Sequence, residues 1–501
     1  MADTVKPKGV RAVHEDYEEM APTWKRCRDT ILGGTRVLHQ ERENYLPRYF
    51  EEDDQSYNAR LNRTVLFNAS YRTVAGCRGM MFRKTPVVTV PSSVESMLDD
   101  VTLSGVSLTL LALELAEESL TTGRSGLWVN YPEASSAMTA ADAQRLNLRP
   151  SIHLLEAEAI TNWAWKRVGN VTKLSLVVIM EEKHTPIDEF TFDEEEQFRV
   201  LDLVDIPDDS TGLTKSVYRV RVMQHDNEID GDVTLEESIP LMGGVPLDYI
   251  PFYFISPDDT EPDVDEPPFV DLVDLNLTHY EQTSSYLHGC FWSGIPQPWI
   301  TGYDNSGKKD EKLRIGGTAW VFPTVGTKIG MLEVGSNGFT ALEKVLDRLE
   351  DQMILVGSRA LELQHPGGTE GVSTAMVHLA GEHSVLSAMA QAISIGMTNA
   401  LQAFVRWTGA DATGVQFVLN QDFFNSPMTP DERISIVKAW QSKAISDEAK
   451  FDLLQSKGDY APDVTFEQEQ AKVKTNTAPD ATKTLPAQPL ADQNNPNIAT
   501  A

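Results

Sequence analysis

Basic residues are scarce in this chain. Across 501 residues, 43 Lys plus Arg stand against 74 Asp plus Glu, a formal charge of −31 at pH 7. Such a field repels nucleic acid at long range and offers no basic face of the kind a sequence-reading DNA binder presents. It leaves room for a protein that lets DNA pass without holding it. Cysteine is nearly absent: Cys27, Cys77 and Cys290 lie far apart with no C-x-x-C spacing. That excludes a zinc ribbon or a disulfide framework and points to reduced, buried thiols in a cytosolic setting. The opening stretch MADTVKPKGVRAVHEDYEE has no apolar run, so no secretory signal is expected. One uncharged stretch, SVLSAMAQAISIGMTNALQAFV at 384–405, tests for a membrane span, but seven of its 22 positions are Ser, Thr, Asn or Gln. With Ala and Gly supplying much of the rest, it reads as a helix packed closely on protein. Neither G-x-S-x-G nor H-E-x-x-H occurs, nor a P-loop with its lysine.

What is there is an ordinary globular composition, 41% hydrophobic, in a chain long enough for two to four domains. Residues 14–46 and 57–81 read as helix, with Trp24, Ile31, Leu32, Val65, Tyr71, Val74 and Met81 as core positions, and 103–121 as a further helix ended by Gly123. From about 150 the period changes. TKLSLVVIMEEKH, EQFRVLDLVD, SVYRVRVMQHD and IPFYFIS predict a mainly antiparallel sheet, and DEEEQ at 193–197 reads as a solvated turn. SPDDTEPDVDEPP, 256–268, reads as a solvated connector. A helix ending near Gly289 follows, then a Gly/Pro-punctuated stretch at 291–338 with short strands TAWVFP and KIGMLEV. Leu342, Val345, Leu346, Leu349, Met353 and Val356 then recur at helical spacing, predicting a helix over 339–364 about 39 Å long at 1.5 Å per residue. A second long helix runs from Thr374 to about Trp407, with a short strand VQFVLN and helices over 429–458 after it. Beyond Phe466 no aromatic remains, and 461–501 reads as a disordered tail.

Three stretches are candidates for chemistry. In DNEIDGDVTLEE, Asp226, Glu228, Asp230 and Glu237 fall at positions 1, 3, 5 and 12 of a calcium-loop spacing with Gly231 at position 6. The flanking segments read as extended and Asp230-Gly231 is a hairpin dipeptide, so an acidic hairpin is the plainer reading. DNSGKKDEKLR gathers Lys308, Lys309, Lys312 and Arg314, either a polar loop balanced by its own acids or a docking or DNA-facing surface. HPGGTEGVS interrupts the helical region with three glycines and carries no lysine, which argues against a phosphate cradle.

WKRCRDTILGG at 24–34, YLPR at 45–48 and NASYRTVAGCRGMMFRKTP at 68–86 match a W-x-x-x-R-D, YLP and N-x-x-x-R-T-V…F-R-K-x-P series. With PPFVDLVDLNLTHYEQTSSYLHGCFWSGIPQPWITGY at 267–303 and GFTALEKVLDRLEDQMILVGSRALEL at 338–363, the chain resembles the portal proteins of tailed bacteriophages over roughly 15–460. The resemblance implies an α+β portal fold: a wing over 1–265, stem helices at 266–290 and 339–364 with a small α/β clip at 291–338 between them, a tunnel loop at 365–373, a long wing helix and return strand over 374–428, and crown helices over 429–460. It implies a homo-oligomeric ring, usually a dodecamer, at one capsid vertex, where double-stranded DNA passes without sequence specificity in packaging and ejection. His365, Gly367, Gly368, Thr369, Glu370 and Gly371 would face that DNA, and Lys308, Lys309, Lys312 and Arg314 would dock partners or centre the DNA. Implied partners are the terminase large subunit, a head-tail connector or adaptor, and capsid and scaffolding proteins, with no membrane. The implied setting is the virion, and the host cytoplasm during assembly. No cofactor and no catalytic residue is expected, ATP hydrolysis belonging to a separate terminase. Two rivals stay open: a metal-dependent nuclease or hydrolase using Asp226, Glu228, Asp230 and Glu237, and a minor structural adaptor that forms no ring.

Overall fold

The computed structural model describes residues 9–131, 145, 148–207, 214–226, 231–294, 297–301, 326, 328–332, 337–358, 372–421, 423, 430–456, 460 and 464–475. Its contacts divide the chain into two units, Met1–Gln421 and Asp422–Ala501. The first unit opens with helices whose ends are written locally. α1 (Glu15–Leu32) starts where His14 accepts from the Asp16 amide, with Glu15, Asp16 and Glu18 in the positive first turn. α2 (Asp54–Leu61) and α3 (Ala69–Met81) are capped by Asp53 and Asn68 in the same way. β1 (Val87–Thr89) and the short α4 (Ser92–Glu95) lead to α5 (Leu108–Thr122), capped by Ser107. Leu108, Leu111, Ala112, Leu115 and Ala116 form its buried stripe at the helical period. α5 ends at Gly123, whose φ of 72° disfavours other residues and whose position 3.1 Å from Glu266 and Pro267 leaves little room for a side chain. Trp24, Ile31, Val74 and Met81 are buried as expected, but Leu32, Val65 and Tyr71 are exposed, at 65%, 61% and 46%. The expected helix over 57–81 is split into α2 and α3 by the non-helical stretch 62–68, which carries Val65, so helical spacing does not apply there, and Leu32 is the last residue of α1.

The middle of the chain forms two antiparallel sheets. β2 (Ser125–Asn130), β3 (Ser151–Glu156) and the later β11 (Phe252–Ile255) pair in the order β11-β2-β3. β4 (Ile160–Val168), β5 (Val171–Pro186), β6 (Phe192–Pro207), β7 (Thr214–Asp226) and β8 (Gly231–Ser238) form a five-stranded meander in sequence order, followed by the small ribbon β9 (Leu241–Met242) and β10 (Val245–Pro246). Val178, Phe198 and Val200 on one face pack with Val10. Residues 193–197 lie within β6 and not in a turn, because their backbone continues the ladder with β5 from Pro186↔Phe192 inward. The acidic connector is likewise anchored: buried Arg124 donates to the carbonyls of Pro262 and Asp263 at 2.6 and 3.1 Å and stacks over Trp163 and Phe254. Burial pushes its pKa down to about 10.

The rest of the first unit is helical. α6 (Val270–Gly294), the hairpin of β12 (Gln297–Thr301) and β13 (Lys328–Leu332), α7 (Asn337–Ser358) and α8 (Val372–Trp407) follow in order, and β14 (Gln416–Val418) returns to pair with β1. α8 packs against β2, β11, α3 and α5 through a stripe that includes Ala390, Ile393, Met397, Ala400, Leu401 and Phe404, all fully buried. The small residues that spoke against a membrane span let these backbones approach. No helix among the described residues is long and apolar enough to cross a membrane. The second unit holds α9 (Pro430–Gln441), α10 (Asp447–Ser456) and α11 (Phe466–Thr475). α11 corrects the expectation of disorder over 466–475: Phe466 lies 5.7 Å from Phe451, whose ring also stacks on Tyr460.

Candidate functional site

The helical hairpin α6–α7 is held by an unusually polar seat. Asn276, fully buried on α6, accepts from the Ser70 amide and hydroxyl at 3.1 Å and donates to the Phe67 carbonyl at 2.7 Å. One turn on, Tyr280 fills an apolar cluster with Val37, Leu46, Tyr57 and Leu61. A further turn on, Ser284 receives the Thr64 hydroxyl at 2.9 Å and Arg60 at 3.3 Å. Arg60 is itself clamped bidentate on Glu52 at 2.9 and 2.7 Å, both side chains buried, and lies 4.1 Å over the Tyr49 ring.

The N-terminal signature residues build this seat. In YLPR, Leu46 joins the cluster, the Pro47 carbonyl accepts from Arg60, and the Tyr45 hydroxyl donates to Asp29. Burial alone would raise the Asp29 pKa, but hydrogen bonds from Lys25, Arg36 and Tyr45 hold it below the usual carboxylate range. Arg28 bridges Glu118 and Glu158. Asn68 caps α3 and donates to the Thr30 and Ile31 carbonyls at the end of α1. Cys27 and Cys77 are buried, and burial pushes each thiol up to about 12, so they stay protonated.

α6 and α7 run antiparallel along their shared length. As α6 advances through Leu272, His279, Tyr286 and Gly289, its partners retreat along α7: Gly357, Glu350, Glu343 and Phe339. His279 Nε2 lies 3.4 Å from Glu350, and the Tyr286 hydroxyl donates to Glu343 at 2.8 Å. Gly289 does not end α6, because the Phe339 ring packs where a Cβ would stand, 2.5 Å from Cε1. The helix continues to Gly294. On α7, Phe339, Leu342, Leu346, Leu349, Met353 and Val356 turn inward, whereas Val345, expected in that stripe, is exposed with Ile354 and Leu355.

β12 and β13 pair from Gln297↔Leu332 to Thr301↔Lys328 at the end of this helix pair. Lys308, Lys309, Lys312 and Arg314 lie outside the described residues, as do His365, Gly367, Gly368, Thr369, Glu370 and Gly371, between α7 and α8. Glu228 and Asp230 also lie outside them. Asp226 and Glu237 sit on β7 and β8, two paired strands where a calcium loop would need helices. Glu237 is engaged by Arg219 at 3.2 Å, which also holds Asp202 at 2.8 Å. Among the described residues no group of three or more His, Cys, Asp or Glu could hold a metal ion.

A family model described as a domain of unknown function (DUF4055) matches residues 268–408, the span from α6 through α8 and just over a quarter of the chain. No curated protein matches the chain. Among solved structures it is similar to a chain in the virion of a native gene transfer agent particle, at 11% identity and a TM-score of 0.38, with 82% of this chain and 96% of that one covered. It is also similar to chains in the neck of the empty particle computed with C6 symmetry (11% identity, TM-score 0.37, 82% and 96% covered) and in the neck of the native particle computed with C12 symmetry (11%, 0.35, 77% and 89%).

Proposed function

We propose that this chain is the subunit of a portal-type ring at one vertex of a phage-like capsid, a conduit for the genome and a docking site for its packaging motor and tail connector. The observation that carries the reading is the α6–α7 hairpin: two helices paired end to end, bearing β12–β13 at one tip, followed by the Gly-rich segment and α8. That is the order of stem, clip, stem, tunnel loop and wing helix which the sequence motifs imply, and two of those motifs, YLPR and NASYRTV, contribute Leu46, Pro47 and Ser70 to the seat of α6.

The physical chemistry suits a conduit. Each cation held on phosphate strengthens binding through counterion release, and a ring multiplies every such contact. A subunit of charge −31 gives a wall on which DNA slides. Lys308, Lys309, Lys312 and Arg314 would supply the sparse positive charge that centres DNA or docks the motor. The glycines at 367, 368 and 371 would let the segment facing DNA shift while α7 and α8 stay packed. The chain would carry no catalytic residues, the terminase large subunit supplying ATP hydrolysis, and the connector, capsid and scaffolding proteins would be its other partners. Negative-stain imaging of the purified full chain tests the reading: ring-shaped particles with a central hole are expected, and compact monomers that cleave DNA with a divalent metal would replace it by the nuclease alternative.

A further inference from the structure

The five-stranded sheet carries a projection with which, among the described residues, no third strand pairs. β4 pairs with β5 only as far as Ile179, and β7 pairs with β6 only from Phe198 onward. Beyond those points β5 and β6 pair only with each other, from Glu181↔Gln197 to Pro186↔Phe192, a ribbon about 20 Å long at ~3.3 Å per residue. A hydrogen bond from Gln224 to Glu195 ties its base to β7. A two-stranded ribbon is marginal alone in water. This one adds repulsion, since Glu182 stands directly opposite Glu196. Residues 181–197 hold eight carboxylates and one lysine, yet the turn exposes Ile187, Phe190 and Phe192 at 67%, 84% and 57%. Asp188 accepts from the Phe190 and Thr191 amides and fixes that turn, so the apolar tip is presented in one shape.

A surface of opposite character lies elsewhere on the same subunit. Residues 55–94 contain six Lys or Arg and no carboxylate, in a chain with 74 acids. At the N-terminal end of α3 this stretch exposes Val65, Phe67 and Tyr71 beside Arg72, which lies over the Phe67 ring. The backbone at Gly79 opens onto free space further along, and Arg83 is exposed just past the C-terminal end, about 17 Å from Arg72 at 1.5 Å per residue. Of the six, Arg60 and Arg78 are engaged by Glu52 and Glu117, while Arg72 at the apolar patch and Arg83 past the end of α3 match the carboxylates that flank the apolar tip along a ribbon of similar length.

We propose that the β5–β6 arm of one subunit docks on the α3 face of a second copy, with Ile187, Phe190 and Phe192 covering Val65, Phe67 and Tyr71 and the carboxylates facing Arg72 and Arg83. The inference rests on the ring reading and adds its contact. Because the two surfaces differ, the contact is head-to-tail, the kind that closes into rings and does not stop at a dimer. The carboxylates along both ribbon edges oppose strand addition, so docking is by side chains.

The test compares full-length wild type with E194K/E196K, with R72E/R83E and with the four changes combined, by sedimentation velocity and negative stain. These are surface positions, and circular dichroism should show unchanged folding in all four proteins. The expected result is assembly by wild type, at least a tenfold higher concentration needed by either reversal alone, and recovery in the combined variant. Assembly by wild type that neither reversal disturbs would overturn the arm contact and leave the ring reading standing. A wild type that never assembles at any concentration would overturn both. Undisturbed assembly by R72E/R83E together with lost binding of a short DNA duplex would assign the α3 face to nucleic acid and overturn the inference.

Discussion

α6 and α7 are paired along their length yet built by different rules. α6 leaves a polar edge in water, Asp271, Asp274, Thr278 and Glu281, and on its other side its neighbours hold it with buried polar groups: Asn276 on Ser70 and Phe67, Ser284 on Arg60 and Thr64. α7 buries one apolar stripe and leaves Val345, Ile354 and Leu355 outside among Glu343, Asp347, Arg348 and Glu350. Buried hydrogen bonds have one geometry that satisfies them, so α6 is fixed in register. An apolar stripe tolerates small slides. The difference separates a fixed helix from one that neighbouring copies can cover.

The largest effect should come from the polar seat. Arg60→Ala leaves Glu52 buried and unpaired and should cost about 3–5 kcal/mol, read as a lowered denaturant midpoint. Met353→Ala tests the stripe of α7, where loss of a 3% exposed side chain should cost about 2–4 kcal/mol. An equal cost at a solvent-facing α7 position would contradict the assignment of its faces.

A smaller effect is expected from acid. The hydrogen bond from Arg60 holds the Glu52 carboxyl below its ordinary value of 4.5. A group whose pKa is depressed on folding contributes stability above its unfolded pKa, lost as pH falls through the folded one. Wild-type melting temperature should therefore fall on acidification below pH 4.5, and Glu52→Gln should flatten that fall while lowering stability at neutral pH. The smallest effect on the subunit, within about 0.5 kcal/mol, belongs to I354K/L355K. Those changes should leave thermal unfolding of the dilute protein unchanged and weaken assembly, which light scattering reads.

Much of the architecture was legible in the sequence. Alternation gave β5, β6, β7 and β11, and the 3.6-residue period gave α5, α7 and α8. Two errors share a cause in tertiary contact: Gly289 does not end α6, and Phe339 packs on it, while Phe466 starts a helix because Phe451 receives it. The connector 256–268 is solvated as expected at Asp258, Asp259, Glu261, Asp263 and Glu266, with Arg124 reaching its carbonyls. The seat of α6 was not legible, since Ser70 and Asn276 are 206 residues apart and nothing local in either segment names the other. Its signal was indirect: YLP supplies Leu46 and the Pro47 carbonyl to that seat, Asn68 of N-x-x-x-R-T caps the helix that carries Ser70, and W-x-x-x-R-D reaches it only through Asp29 on Tyr45. The lysines at 308, 309 and 312, Arg314 and the segment 365–371 lie outside the described residues and stand on the sequence alone.

Native mass spectrometry of the full chain tests the central claim most directly, because it counts subunits. Closed rings predict one dominant species at a fixed integer multiple of 55.6 kDa, twelve by the portal resemblance, stable to moderate dilution. A monomer at every concentration, or a ladder of open oligomers with no preferred count, would contradict it.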